Sequence, residues 1–558
     1  MLDIRLAKRV DSEYIMNRAL YIAVTAGLLL SLTVFTPQAV QRPRERVHVP
    51  ALFQPSTECM ACHNNLTTPS GEDVSIGADW RGSIMANSSR DPYWQASVRR
   101  EVLDHPGSKA EIEDECSICH MPMATTQARA AGGRGAVFAH LPIGKGSAPG
   151  ARLAADGVSC AICHQITNQK FGTPDSFTGG YVIDMAKASE RPIYGRFQID
   201  AGHATVMRSA TGFKPTEAAH VQQSELCATC HTLYTQARGP QGEVIGRLPE
   251  QVPYLEWRHS AFAEEKSCQA CHMPAVEEEM PITNVLGEPR KDFFRHVFRG
   301  GNFIMLRMLN RYRADLGVAA TSREIDASIR RTLEHLQSET AAVSIERTAV
   351  SNGRLDIDVA VHNFSGHKFP TAYPSRRAWL HLTVRDQAGR TVFESGALNT
   401  NGMIQGNDND TDPLRYEPHY SEIRRSDEVQ IYESIMADSK GAVTTGLLNG
   451  LKFIKDNRLL PRGFDKTTAE PDIAVIGQAA EDADFTAGGD QVRYSVDLAG
   501  AGGPFQIGVE LKFQPISFRW ADNLRKYDAA EPRRFVSYYD SMALASAEVV
   551  AHASATTR

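Results

Sequence analysis

Five copies of one short motif use every cysteine in this 558-residue chain. Each copy reads Cys-x-x-Cys-His, which places two thiols on one helical turn with an imidazole directly after them. Ten cysteines in five pairs leave none for any other pairing. The copies are Cys59-Met-Ala-Cys62-His63, Cys116-Ser-Ile-Cys119-His120, Cys160-Ala-Ile-Cys163-His164, Cys227-Ala-Thr-Cys230-His231 and Cys268-Gln-Ala-Cys271-His272.

The motif is typical of covalent haem attachment, in which the two thiols bond to the porphyrin and the histidine ligates the iron. A disulfide framework suits small domains and needs no histidine after every second cysteine. A zinc site would need two Cys-x-x-Cys pairs per metal, and a thioredoxin-like redox motif would occur once. We therefore predict five c-type haems, whose proximal iron ligands are His63, His120, His164, His231 and His272.

A second axial ligand, often another histidine, is common for electron-transfer haems. The chain has 18 histidines, and six outside the motifs lie between Cys59 and Gly301. Met85 is an alternative ligand, and an iron that lacks a distal ligand is a further alternative. The predicted distal candidates are His296, His259, His203, His220, His140 and His105.

The N-terminal region carries an apolar run. No charged residue occurs from Ala19 to Gln41, and the stretch is long enough to cross a hydrocarbon layer of ~30 Å. Because no small-x-small cleavage site is evident near Ala39, an uncleaved signal anchor is favoured over a cleaved signal peptide. A buried core helix is the remaining alternative, and arginines on both flanks leave the orientation open.

The rest of the chain divides by its hydrophobic periodicity. Residues 42–301 carry the motifs, with many glycines and prolines, and predict a domain of helices and loops. Residues 302–347 show helical spacing and predict linking helices. Residues 348–558 alternate with period two and predict an antiparallel β-sandwich, so the fold class is α+β with several domains. The predicted strands are Leu355–Val361, Ala378–Val384, Gln491–Val496 and Gln506–Phe513.

The motif-bearing part resembles the multihaem cytochrome c superfamily that includes hydroxylamine oxidoreductase and pentahaem nitrite reductase. The resemblance covers about residues 55–300 and rests on the five motifs, on the endings Met121-Pro122 and Met273-Pro274, and on the segment Asp156-Gly-Val-Ser-Cys160. It implies closely stacked haems that conduct electrons. Pentahaem nitrite reductases use a lysine-ligated catalytic haem, whereas every motif here ends in histidine.

The same resemblance implies where the protein works. Covalent haem loading takes place on the outer face of the bacterial inner membrane, so the chain after residue 42 is expected to be exported. We therefore expect a protein of the inner membrane that faces the periplasm, held by its N-terminal helix.

Two segments of the C-terminal part stand out. Asn363-Phe-Ser-Gly-His-Lys-Phe-Pro-Thr371 resembles a Gly-His-x-x-Pro-Thr signature that follows haem domains in some multihaem cytochromes. In it His367, and less so His362, is a candidate to ligate or pack near a haem, while Arg376 and Arg377 suit haem propionates or surface acids. Asn407–Asp412 offers alternating oxygens to calcium, with a solvated acidic loop as the alternative.

The expected function is electron transfer. A net charge of -6 excludes a large basic surface for nucleic acid. The expected partners are redox proteins or a membrane quinol-oxidising complex. One alternative is a multihaem oxidoreductase that acts on a small nitrogen or sulfur compound at an open haem, and another is a structural, filament-forming cytochrome.

Overall fold

The structure is a computed structural model that describes residues 51–186 and 190–557. The predicted cytoplasmic stub and signal anchor, residues 1–41, lie outside the described residues. Within the described ranges no helix has both the length and the hydropathy needed to cross a bilayer.

The part that carries the motifs, up to residue 301, consists of short helices joined by loops and three two-stranded ribbons. Many of its helices span only one or two turns, because the segments between motifs are rich in glycine and proline. The strands, labelled β1 to β6 in chain order, are Pro192–Gly195, Lys214–Glu217, Leu233–Arg238, Val244–Gln251, Ala275–Val276 and Phe293–Phe294. The helices, α1 to α11, are Ser56–Met60, Ile76–Arg81, Pro92–Asp104, Lys109–His120, Pro122–Ala130, Ala151–Ala155, Cys160–Cys163, Ala201–Thr211, Ser224–His231, Pro253–Arg258 and Cys268–His272.

Three helices follow: α12 (Phe303–Arg311), α13 (Arg313–Leu316) and α14 (Ser322–His335). Helix α14 begins with a capping box, in which Thr321 and Glu324 each satisfy the other's backbone amide. Strand β7 already begins at Ala341, within the segment predicted to link the two parts by helices.

The C-terminal part is rich in β-structure, which confirms the α+β prediction. Its four predicted strands lie inside β8, β9, β15 and β16 respectively. Two further helices, α16 (Phe518–Asp522) and α17 (Ala530–Asp540), lie near the end of the chain, and α15 (Asp408–Thr411) lies in the acidic loop. The elements are β7 (Ala341–Ser351), β8 (Arg354–Asn363), β9 (Arg377–Arg385), β10 (Thr391–Ser395), α15 (Asp408–Thr411), β11 (Glu422–Ile423), β12 (Ile431–Ala437), β13 (Val443–Thr444), β14 (Lys452–Asp456), β15 (Gly489–Asp497), β16 (Phe505–Gln514), α16 (Phe518–Asp522), α17 (Ala530–Asp540) and β17 (Glu548–Thr557).

These strands form two sheets. The four-stranded sheet has the order β11-β15-β8-β7, and the seven-stranded sheet runs β13-β12-β9-β16-β17 with β10 on β9 and β14 on β12. Most pairs are antiparallel, but β11 pairs with β15 in parallel, which differs from the expectation. Alternate residues from both sheets, such as Val359 on β8 and Val509 on β16, share one hydrophobic cluster.

A buried ionic network joins the β-rich part to helix α10. Arg458 pairs with Glu256 of α10 at 2.8 Å and with Asp456 at 2.8 Å, and Asp456 also accepts a 2.8 Å bond from Lys368. All four side chains are almost fully buried. The network holds the segment around Lys368 against the motif-bearing part.

Candidate haem sites

Each motif lies on a short helix that begins at or before its first cysteine. In the first motif the helix ends at Met60, but the amide of His63 still donates to the carbonyl of Cys59 at 3.0 Å. The turn therefore continues through the histidine. This local geometry places both thiols and the imidazole on neighbouring positions of one turn, as thioether attachment requires.

All five motifs open onto one internal cavity of ≈ 1120 Å³. The five motif histidines line it, and so do nine of the ten cysteines, Cys62 being the exception. The walls are mostly apolar and aromatic, for instance Trp80, Trp94 and Tyr181. One continuous space that receives thiols and imidazoles from all five motifs is a suitable place for porphyrins that lie close together.

Backbone carbonyls orient four of the proximal imidazoles through Nδ1. The Nδ1–H groups donate to carbonyl oxygens, which leaves the Nε2 lone pair free for a metal. The donor and acceptor pairs are His63 and Ile282 at 2.7 Å, His120 and Ser88 at 3.1 Å, His164 and Tyr194 at 2.5 Å, and His272 and Arg299 at 2.6 Å.

Burial keeps the proximal imidazoles neutral. Desolvation lowers the pKa of His120 and of His231 to about 4. A neutral imidazole is the form that ligates iron. The stacked indole of Trp94, 4.3 Å from the His120 ring and 3° from parallel, further fixes that ring.

Two proximal imidazoles face a second imidazole at the spacing that a shared iron requires. His164 and His296 have ring centroids 6.2 Å apart at 21°, and His272 and His367 are 6.2 Å apart at 10°. Two metal–imidazole bonds of about 2 Å, each extended by about 1 Å to the ring centre, predict about 6 Å. In both second rings Nδ1 donates to a nearby carbonyl, which again leaves Nε2 free.

His335 also lies 6.2 Å from His272, with its ring inclined at 68°. It stands at the end of helix α14 and lines the same cavity. An iron held by His272 would take only one of His335 and His367 as its second imidazole ligand. Nothing in the sequence singled out His335, because its helix carries no motif.

For His63, His120 and His231 the described residues place no second imidazole at this spacing. His48 lies among the residues that the structure does not describe. Of the six distal candidates from the sequence, only His296 lines the cavity.

The other five distal candidates lie away from the cavity lining. Three use Nε2 in hydrogen bonds to carbonyls: His203 with Leu286 at 2.8 Å, His220 with Ile166 at 2.9 Å, and His259 with Asp465 at 3.0 Å. His105 and His140 are buried, and each keeps one ring nitrogen without a partner among the described residues.

Thiols of different motifs lie against one another and reveal which sites are neighbours. Interacting thiols join the first motif to the third, the second to the fourth, and the fourth to the fifth. The third and fourth motifs also lie within electrostatic reach through Cys163 and Cys230. The interacting pairs are Cys59 with Cys160, Cys119 with Cys230, and Cys227 with Cys268.

The acidic loop that suggested calcium uses its oxygens within the protein. Both carboxylate oxygens of Asp410 accept 2.8 Å bonds from the buried guanidinium of Arg377. Asp408 pairs with Arg415. These contacts account for Arg377, which turns away from the cavity towards the loop.

A separate buried cluster contains His419, Asp482 and Asp490, whose polar atoms lie within 4.8 Å of one another. The amides of Gln430 and Asn457 both donate to His419 Nδ1, at 2.9 and 3.1 Å. Their own oxygens accept backbone N–H groups, which fixes the amide orientations. The hydrogen of His419 is therefore on Nε2, where it blocks metal coordination and faces the two carboxylates.

Comparison with known proteins gives one informative likeness. No protein-family model and no curated protein sequence matches the chain. Among solved structures it resembles a penta-heme cytochrome c552 from Thermochromatium tepidum, with a TM-score of 0.53 and 16% identity, covering 91% of this chain and 100% of that one. The likeness supports the sequence-based resemblance at the coarser level: the chain has the fold of a multihaem c-type cytochrome.

Proposed function

We propose that this protein is a multihaem cytochrome c that carries electrons through five covalently bound haems. One observation carries the proposal: all five Cys-x-x-Cys-His turns open onto a single cavity, and backbone carbonyls orient four of the five proximal rings. Porphyrins that share one cavity lie close enough for rapid electron exchange. We also propose that the chain belongs to the superfamily that includes hydroxylamine oxidoreductase and pentahaem nitrite reductase.

The protein's contribution is attachment, orientation and burial. When bound, each haem supplies a one-electron iron couple. The thiols would hold the porphyrin edges, and the Nδ1–H bonds of four proximal histidines leave their Nε2 atoms free for iron. The apolar walls keep water from the irons, and ligand identity and burial tune each potential.

The thiol contacts support an order for the sites. They connect the first, third, fourth and fifth motifs in a line, with the second motif branching at the fourth. The fourth motif, Cys227 to His231, is therefore the junction of the proposed path. Electrons that move between the first and fifth sites pass through it.

The location and partners are part of the proposal. The apolar run from Ala19 supports a signal anchor in the inner membrane, with the cytochrome in the periplasm. A membrane quinol-oxidising complex or soluble redox proteins are the proposed partners. Fractionation of cells that express the full chain tests the anchor, because a cleaved signal peptide would release the protein as a shorter chain.

The central test is haem stoichiometry. Intact-mass analysis of the exported protein is expected to show five covalent haems. Replacing both cysteines of one motif by serine should remove one haem from that mass. A protein that carries no covalent haem, or one whose reduced form does not pass electrons to an added acceptor, contradicts the proposal.

A second candidate function is a multihaem oxidoreductase for a small nitrogen or sulfur compound. It is favoured by one observation: among the described residues no imidazole faces His63, His120 or His231 at the spacing seen for His164 and His272. A high-spin iron signal that disappears when cyanide is added supports this function. Five low-spin irons that bind no added ligand exclude it.

A further inference from the structure

Arg376 is a cation without a carboxylate partner inside the cavity. It lines the cavity from the loop that joins β8 to β9. Its Nη1 donates to the carbonyl of Thr371 at 3.0 Å, and among the described residues no acid pairs with it. A charge that is removed from water needs an opposite charge or a full set of hydrogen bonds.

The two neighbouring arginines show the contrast. Arg377 forms a two-bond pair with Asp410, and Arg458 pairs with both Asp456 and Glu256. Arg458 adds like charge to the surroundings of Arg376. Burial, followed by that like charge, lowers the pKa of Arg376 to about 10, so it is still a cation at neutral pH. The positive charge of Arg376 is therefore not balanced by a negative charge among the described residues in this part of the cavity.

Arg376, whose positive charge has no acidic partner in the described part of the chain, lies near the fourth and fifth motifs. Its charge reaches the rings of His231 and His367. The hydroxyl of Thr371 beside it is buried and has no hydrogen-bond partner among the described residues. Tyr373 lies on the same wall, in edge contact with Tyr93 at 6.1 Å. A guanidinium with an unused hydroxyl nearby suits a planar oxyanion.

We propose that Arg376 forms an anion subsite in the cavity, between the fourth and fifth motifs, that takes a carboxylate or a similarly small planar oxyanion. The inference rests on the proposed function, because the cavity is where haem binds. Two sources offer this chemistry: a propionate of a bound porphyrin, or a free oxyanion held near the iron of His231. In either case the β-rich part contributes a charge to the redox site.

The test compares Arg376→Gln and Arg376→Lys with Arg196→Gln. Arg196 also lines the cavity, but Asp292 pairs with it at 3.6 Å. Covalent haem is counted by intact mass in every sample, so that loss of haem is recognised as failure of the proposed function. Each variant is titrated by visible and paramagnetic resonance spectroelectrochemistry, and then with sodium nitrite and sodium sulfite.

If a porphyrin propionate fills the subsite, Arg376→Gln shifts the reduction potential of one haem, Arg376→Lys shifts it less, and neither salt perturbs the wild-type spectrum. If a free oxyanion fills it, one salt shifts the wild-type spectrum with saturation, and Arg376→Gln weakens that binding by about tenfold or more. A full haem count with unchanged potentials and unchanged anion response in Arg376→Gln overturns the proposal.

Discussion

The imidazole of His367, in the β-rich part, lies 6.2 Å from that of His272 in the fifth motif and within 10° of parallel to it. This is the spacing of two rings that share one iron. The C-terminal part thus forms a wall of the cavity and supplies one of its imidazoles.

We predict that His367→Ala removes one low-spin signal from the paramagnetic resonance spectrum and leaves five covalent haems. If His335 is the ligand instead, His335→Ala has this effect and His367→Ala does not. His362→Ala is the matched control, because His362 is exposed on the preceding strand. Unchanged spectra in both cavity variants would show that neither ring ligates iron.

Removing the fourth haem should interrupt the proposed path. In a variant with Cys227→Ser and Cys230→Ser, we expect electrons injected at one end to equilibrate much more slowly with the other end. The change Cys116→Ser with Cys119→Ser removes only the branch, so transfer between the first and fifth sites should continue. Pulse radiolysis followed at the Soret band measures both rates, and equal rates in the two variants contradict the order of sites.

The buried ionic network that contains Lys368, the residue after His367, predicts a large loss of stability for Lys368→Met. Removing one partner of a buried ionic group costs about 3–5 kcal/mol, because the remaining charge of Asp456 loses a partner. Urea unfolding followed by far-UV circular dichroism measures the free energy of unfolding. Arg134→Met is the control: its exposed pair with Glu111 should contribute little. Equal effects of the two changes would show that the buried network does not stabilise the fold.

His419 and Asp490 form a pair with opposed pH effects. Burial raises the pKa of Asp490 from 3.8 to about 7 and lowers the pKa of His419 from 6.5 to about 4. Between pH 4 and 6.5 the folded pair carries its one proton on Asp490, whereas the unfolded pair carries it on His419. Because the proton count is equal, this pair adds little pH dependence to the wild-type stability.

Single substitutions should reveal the two opposed slopes. Asp490→Asn leaves the lowered pKa of His419, so stability should fall as the pH drops from 6.5 towards 4. His419→Gln leaves the raised pKa of Asp490, so stability should fall as the pH rises from about 4 to about 7. Each change is on the order of 3 kcal/mol across its window. Urea unfolding at several pH values, relative to wild type, measures the slopes, and slopes of the same sign in both variants contradict this account.

Periodicity predicted much of the β-rich part and missed strands that do not alternate. All seven residues of Ile431–Ala437 are buried, so that strand shows no polar face in the sequence. In Glu548–Thr557 the alternating residues are mostly small, so the sequence shows no clear apolar face there. Ile431–Ala437 pairs with Arg377–Arg385, and Glu548–Thr557 pairs with Phe505–Gln514; a local pattern does not encode such pairings.

The attachment residues were readable because covalent haem chemistry is local, whereas distal ligands are set by the tertiary fold. Proximity to a motif suggested His203, His220 and His259, yet their rings bond to carbonyl oxygens. His335 and His367 reach His272 from a distant helix and a distant loop. Sequence spacing carries no information about which way such rings point.

Residues near the end of the chain, including Phe513 and Ile516, also line the cavity. Because ribosomes make the motif-bearing part first, the early motifs exist before the residues of this wall are made. A porphyrin is too large to enter through a finished protein shell, and its thioether bonds need open access to both thiols. Under the proposed function, haem attachment would precede closure of this wall, and the β-rich part would fold onto a cytochrome that is already loaded.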